Sequence, residues 1–197
     1  IAENFNVHHI WSNGEPGNTS GYRQLMKTIR DKNIAHPAFR QLDRQVEVAG
    51  VKIEILNPPP GFLERRQTEP WRDLNNNSLV ARFTSGTISL LLCGDITAKA
   101  EKELVTREGD HLKSTVLFVP HHGSDSSSTP GFIDAVQPQI GIVSAGWQNR
   151  YHFPHPAVLK RYRQAKTRLL RTDQDGAISL ATDGLRLSIS TAIAGRE

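Results

Sequence analysis

A chain of 197 residues with 37% hydrophobic and 22% charged side chains has the length and balance of one ordinary globular domain with a well-buried core. Its single cysteine, Cys93, excludes an internal disulfide, and no apolar run reaches the roughly 18 residues that a membrane-crossing helix needs. The net charge of +4 is unevenly placed: residues 145–175 hold seven Lys and Arg against Asp173 and Asp175, which suits either a solvated helix face or a surface meeting a phosphate-rich partner.

The opening stretch IAENFNVHHIW has neither the basic nor the apolar region of a secretory signal, and it lacks an initiating Met. The sequence therefore reads as a piece of something longer. Tyr22, Leu25, Met26 and Ile29 recur at helical spacing and predict an amphipathic helix over 19–33. QVEVAGVKIEIL (45–56) alternates as two strands around Ala49–Gly50. The Pro- and Asn-rich stretch 57–77 is the longest loop and is expected to be a surface excursion. SLVARFTSGTISLLLCGD (78–95) reads as a hairpin turning at Ser85–Gly86, followed by a short helix over 98–107.

From STVLFVP onward strand and helix alternate: helix PGFIDAV, strand IGIVSAG, helix PAVLKRYRQA and strand TRLLRT. A last hairpin, AISLATDGLRLSIS, is expected to turn on Asp183–Gly184. The pattern predicts an α/β fold with a mixed β-sheet flanked by helices. In such folds functional side chains gather where strands end.

Three strand ends carry suspicious residues. Asp95 terminates LLLCGD, where it could bind a metal or simply cap the helix that follows. His121 and His122 terminate VLFVPHH, ahead of Gly123 and a run of hydroxyl residues; imidazole is a common metal ligand, but one ring could equally pack and the other bond the loop. His152 and His155 follow strand 140–144. Pro156 suits the first position of a helix, placing His155 at or near the N-cap, and Thr129–Pro130 repeats that arrangement. His8 and His9 read as structural residues at the start of a strand, and His36 and His111 as surface loop residues. A two-metal hydrolase commonly needs more ligands than this set offers.

The order LLLCGDI, VLFVPHHGSDSSS, VSAGWQNRYHFPHPAVLKRY and RTDQDGAIS, with FNVHHIWSNGEPGNTSGYRQL near the start, resembles the metallo-β-lactamase-like domain of the ComEC family of competence proteins, membrane proteins required for DNA uptake. The resemblance spans nearly the whole chain and implies a layered αββα architecture as a single domain over 1–197, lacking its N-terminal part. The superfamily's first metal motif, of the form HxHxDH, is absent here and would lie upstream.

By that resemblance Asp95 matches a carboxylate bridging two metals and His155, with His152 as fallback, the last histidine ligand. His121 and His122 would be catalytic, contacting the phosphoryl oxygen or protonating the leaving alkoxide. Ser124, Ser126, Ser127 and Ser128 would position the phosphate, with Ser124 and Ser126 taken as substrate-binding. Asn75, Asn77 and Ser78 fall where relatives place another histidine ligand, and Asn75 and Asn77 are taken as substrate-binding. Arg150, Lys160, Arg161 and Arg163 would track a DNA backbone.

The implied cofactor is zinc or manganese in the intact domain, with poor metal binding and little turnover expected of this stretch alone. The implied activity is hydrolysis of the DNA strand that is not imported; the alternative is a non-catalytic DNA-binding or channel-gating domain. The implied partners are single-stranded DNA, bound without sequence preference, and the parent's own channel domain. The parent would reside in the bacterial inner membrane, with this domain on its outer side and no membrane contact of its own.

Overall fold

A computed structural model describes residues 1–193; positions 194–197, part of the domain expected from the sequence, lie outside the described residues. The chain forms two compact units, residues 1–43 and the remainder from Arg44 onward. No helix among the described residues is long and apolar enough to cross a membrane.

The first unit is built on α1 (Ser20–Asp31), whose N-terminus is capped by Thr19: its hydroxyl accepts from the Tyr22 amide at 3.1 Å. Ile29 packs with Ala2 and Ile34, and Val7, Ile10 and Met26 lean on them. His8 and His9 lie in a short extended stretch, where His9 forms an isolated parallel bridge with Ala35. His36 is tied down by Ser12, with 2.9 Å between Nε2 and Oγ.

The second unit is a seven-stranded mixed sheet in simple order. β1 (Gln45–Val48), β2 (Val51–Asn57), β3 (Val80–Ser85) and β4 (Ile88–Leu92) run as an antiparallel meander. β5 (Val116–Phe118), β6 (Ile140–Val143) and β7 (Arg168–Arg171) add to β4 in parallel. The parallel half needs crossovers, which α3 (Ala98–Glu108), α4 (Pro130–Val136) and α5 (Pro156–Gln164) supply. The expected mixed α/β sheet flanked by helices is what forms.

Pleating gives the sheet two distinct faces. Leu91 and Leu117 point to the helices and share one core with Leu104 of α3, Phe132 and Ile133 of α4, and Val158 and Tyr162 of α5. Gly141 falls in the same row: a Cβ there would meet Leu169 Cδ2 at 2.7 Å, so only glycine lets this row close up. On the other face Phe83, Leu90, Leu92 and Phe118 line an apolar cavity of about 350 Å³, bordered by Thr182 of the separate β8 (Ile178–Thr182) and β9 (Leu187–Thr191) hairpin.

Three local expectations are corrected. The final hairpin turns through four residues, 183–186, because the Asp183 carboxylate accepts from the amides of Leu185 (2.9 Å) and Arg186 (2.7 Å). The β3–β4 turn falls at Gly86–Thr87, one residue later than expected, where the Thr87 amide donates to the Gly184 carbonyl at 2.7 Å. Residues 57–77 are no surface excursion. They include the one-turn α2 (Phe62–Arg65), and Phe62, Arg72, Asn76 and Asn77 are all buried. Asn76 links this segment to α3: its side-chain oxygen accepts from both the amide (2.9 Å) and the hydroxyl (2.8 Å) of Thr97. A further one-turn helix, α6 (Thr172–Asp175), has too few residues for a periodic signal.

Candidate functional site

The C-terminal ends of β4, β5 and β6 bring together Asp95, the His121–His122 pair and Ser144. The His121 amide donates to the Gly94 carbonyl at 2.9 Å, which joins the first two strand ends. Gly94 admits the segment leading into β3: a Cβ there would meet the Ser78 Cβ at 2.7 Å, and Ser78 Oγ instead accepts from the Asp95 amide at 3.1 Å. Ser78 therefore supports the backbone that carries Asp95.

His121 (φ 50°), His122 (φ 56°) and Gly123 (φ 81°) form three consecutive left-handed residues. Non-glycine residues pay for that conformation in strain, and a run of them persists only where surrounding contacts fix it. In that conformation His122 donates from Nδ1 to the Ser144 carbonyl at 2.7 Å and turns Nε2 toward Asp95 Oδ1, 3.6 Å away. His121 lies 3.5 Å through Nδ1 from Ser126 Oγ, which in turn contacts Ser124 Oγ at 3.0 Å. The hydroxyls further on serve the fold. Ser127 donates to the carbonyls of Pro120 and Ser124, and Ser128 contacts the buried Tyr162 hydroxyl at 3.0 Å.

His155 is the N-cap of α5, as Pro156 foretold; its Nδ1 accepts from the Ala157 amide at 3.2 Å. The same nitrogen, its lone pair engaged by that amide, lies 3.7 Å from Asp125 Oδ1, so His155 neighbours Asp125 and stands apart from Asp95–His122. Its backbone amide reaches the Gly123 carbonyl at 2.9 Å, which keeps the two in one neighbourhood. His155→Ala is expected to cost about 1 kcal/mol through the lost cap, with His155→Asn restoring most of it; thermal unfolding of the two variants reads the difference. His152 is exposed, at positive φ (55°) in the loop.

The remaining expected residues divide sharply. Lys160, Arg163 and Arg150 are exposed. Arg161 is engaged: it pairs with Asp125 at 2.7 Å and donates to the Ser127 carbonyl at 2.9 Å, holding the hydroxyl loop rather than facing solvent. Asn75 is half-buried, and fully buried Asn77 gives its side-chain amide to the Arg72 carbonyl at 3.2 Å. Exposed His111 pairs with Glu54 at 3.3 Å on a distant strand of the sheet.

Asp95 and His122 offer a metal two donors. No group of three or more His, Cys, Asp or Glu is placed to hold a metal ion among the described residues. The zinc or manganese that the resemblance implies does not fit these residues by themselves. Cys93 does not extend the set: it is fully buried in the core, and burial pushes its thiol well above the usual range.

Sequence reading singled out His152, His155 and Arg150 in the loop after β6 but overlooked its aromatic residues. Tyr151 and Phe153 stack there with ring centroids 5.6 Å apart, beside exposed Trp147 and Arg150, around a cavity of about 380 Å³ that His122 also lines. The available signal was three aromatics within seven residues of a polar loop, WQNRYHF.

No family model matches the chain. Among curated proteins it is 44% identical over 155 residues to ComE operon protein 3 of Bacillus subtilis, covering 79% of this chain and 19% of that protein. It is 40% identical over 129 residues to competence protein ComA of Neisseria gonorrhoeae, covering 66% of this chain and 18% of that protein. Recombination protein 2 of Haemophilus influenzae is 34% identical over 143 residues, or 73% of this chain and 17% of that protein. The chain thus spans about a fifth of the length of these relatives. Among solved structures, an isothiocyanate hydrolase from Delia radicum gut bacteria gives a TM-score of 0.46 at 9% identity, over 83% of this chain and 63% of that one. A metallo-β-lactamase-superfamily protein from Thermotoga maritima gives 0.36 at 15%, over 81% and 69%. Both scores are too low for a fold assignment, which rests on the sheet itself. On the strength of these sequence matches, the chain belongs to the ComEC-like competence proteins.

Proposed function

We propose that this region handles a DNA strand within its parent protein, with Asp95, His121 and His122 facing a phosphodiester and the exposed cations of 150–163 meeting the flanking backbone. The observation that carries the reading is the convergence of Asp95 and His122 at adjacent parallel strand ends in a chain related to competence proteins. Ligands of open α/β sheets bind at those ends.

The chain's own groups define what each would do. With Nδ1–H committed to the Ser144 carbonyl, His122 presents Nε2 as the free functional atom. Protonated there, it donates to Asp95 or to a phosphoryl oxygen; neutral, it accepts a proton. Ser124 and Ser126 supply hydroxyl donors beside His121. Lys160 and Arg163, exposed on α5, supply charge without sequence preference.

Strand hydrolysis in the full-length protein is the first form of this reading. In the second form this region binds or gates DNA without cutting it. Anisotropy titrations of a labelled oligonucleotide against this chain test the shared premise. Affinity is expected to fall linearly with log salt concentration, and Lys160→Glu with Arg163→Glu to weaken binding severalfold and flatten that slope. Salt-independent binding, or none, would sink the premise. Cleavage assays on the full-length protein with added manganese or zinc, and with Asp95→Ala as control, separate the two forms.

A further inference from the structure

The loop after β6 shows a feature that neither folding nor phosphate binding explains. Tyr151 is 59% exposed and Trp147 is 75% exposed, although aromatic surface is costly to leave in water. The loop presenting them is nonetheless rigidly built. Asn149 accepts from the Phe153 amide at 3.0 Å and donates to the carbonyls of Phe153 (2.7 Å) and Gly146 (3.0 Å), closing the segment on itself.

On that frame the Tyr151 and Phe153 rings lie nearly parallel, 19° apart. Phe153 meets the edge of His121 at 6.0 Å, and the Arg150 guanidinium sits 4.7 Å from the Tyr151 ring centre. The cavity beside them, about 380 Å³, has Tyr151, Phe153 and Asn149 on one side and His122 and Ser144 on the other. An aromatic wall with the Asn149 amide beside it, a cation held on Tyr151 and a histidine at the far edge match the parts of one nucleotide.

We infer that this cavity takes an unpaired nucleobase, stacked on the Tyr151–Phe153 pair, of the strand whose adjoining phosphate lies at His122. The inference rests on the DNA reading above and gives the expected preference for single strands a structural cause. A base paired within a duplex keeps both faces stacked on its neighbours and is not free to enter; an unpaired base is, and stacking tolerates any sequence because every base has a π-face. Arg150, held against Tyr151, adds charge where the backbone would leave the pocket.

Two fluorescent oligomers of equal length and charge test it on this chain: one of thymidylates and one with the same backbone but no bases. The thymidylate oligomer is expected to bind about tenfold more tightly, the size of one stacking contact. Tyr151→Ser, at a mostly exposed position and so tolerated by the fold, is expected to bring the two affinities close together. A duplex of the same length should lose the advantage that the thymidylate oligomer has. Equal affinity of the unsubstituted chain for both oligomers, or a Tyr151→Ser ratio still near ten, overturns the stacking site while the DNA reading stands. Binding of neither oligomer overturns both.

Discussion

Replacing Arg72 by alanine is expected to destabilise the second unit by about 3–5 kcal/mol, the cost of stripping one partner from a buried ionic network. The Arg72 side chain is wholly buried; it pairs with Glu69 and with Glu103 of α3, while Arg65 bridges the same two carboxylates at 2.9 Å each. Its guanidinium also lies 4.3 Å from the Trp71 ring centre. Truncation would leave Glu103 mostly buried with only half-exposed Arg65 opposite, and would loosen segment 57–77 from α3, where Arg65 and Asn76 still hold it. Burial works against ionisation of Glu69, yet hydrogen bonds from Arg72 and Arg65 hold its carboxyl below the usual value. A depressed carboxyl contributes stability above its unfolded pKa and loses it as pH falls, so the penalty of Arg72→Ala should shrink in acid. Urea denaturation of both proteins from neutral to acidic pH measures this. Replacing Arg72, Glu69 and Glu103 together by apolar residues of similar volume should recover most of the loss, since a network's worth lies in its completeness. A single-variant loss under 1 kcal/mol at neutral pH would show the network to be decorative.

Which parts of this architecture were legible follows from the range of the interactions that made them. The strands announced themselves because pleating imposes a two-residue period, and Ala49 and Gly50, both at positive φ, join β1 to β2 as the alternation required. Pro130 and Pro156 marked the starts of α4 and α5, with Thr129 and His155 as their caps. Segment 57–77 was misjudged because its burial comes from Arg72 reaching Glu103, 31 residues away, a pairing without local period. The same limit applies at the site. Asp95 and the His pair were recognisable as strand-end residues, but their meeting depends on the parallel register that aligns Leu92 with Phe118. Nothing in HHG announces three left-handed residues in a row, and the helical spacing of Arg161 conceals that it reaches back to Asp125.

Glu101→Ala is expected to cost about 3 kcal/mol at neutral pH, by a route that runs from the core to the site. Glu101 projects from α3 with no exposure to solvent, and its two carboxylate oxygens accept from the amides of Ser128 and Thr129, the latter at 2.8 Å. Removing it orphans both buried N–H groups, each worth about 1–3 kcal/mol. Burial raises the Glu101 carboxyl above the ordinary 4.5, against the opposing pull of those amides and of Arg161. With the folded pKa above the unfolded one, the folded state holds the extra proton between them, so the Glu101 contribution to stability declines as pH rises through that window and is flat above it. Glu101→Gln keeps the shape and removes the titration; its unfolding free energy should lack that declining limb while its loss at neutral pH stays smaller than that of alanine, because the amide still accepts one bond. The segment that Glu101 fixes also carries Ser126, which contacts His121, and Arg161 holds the same loop from the opposite side. Glu101→Ala should therefore weaken oligonucleotide binding as well as stability, and Glu101→Gln should largely spare it. If alanine lowers stability yet leaves binding unchanged at a temperature where the protein remains folded, the hydroxyl loop takes no part in holding the strand.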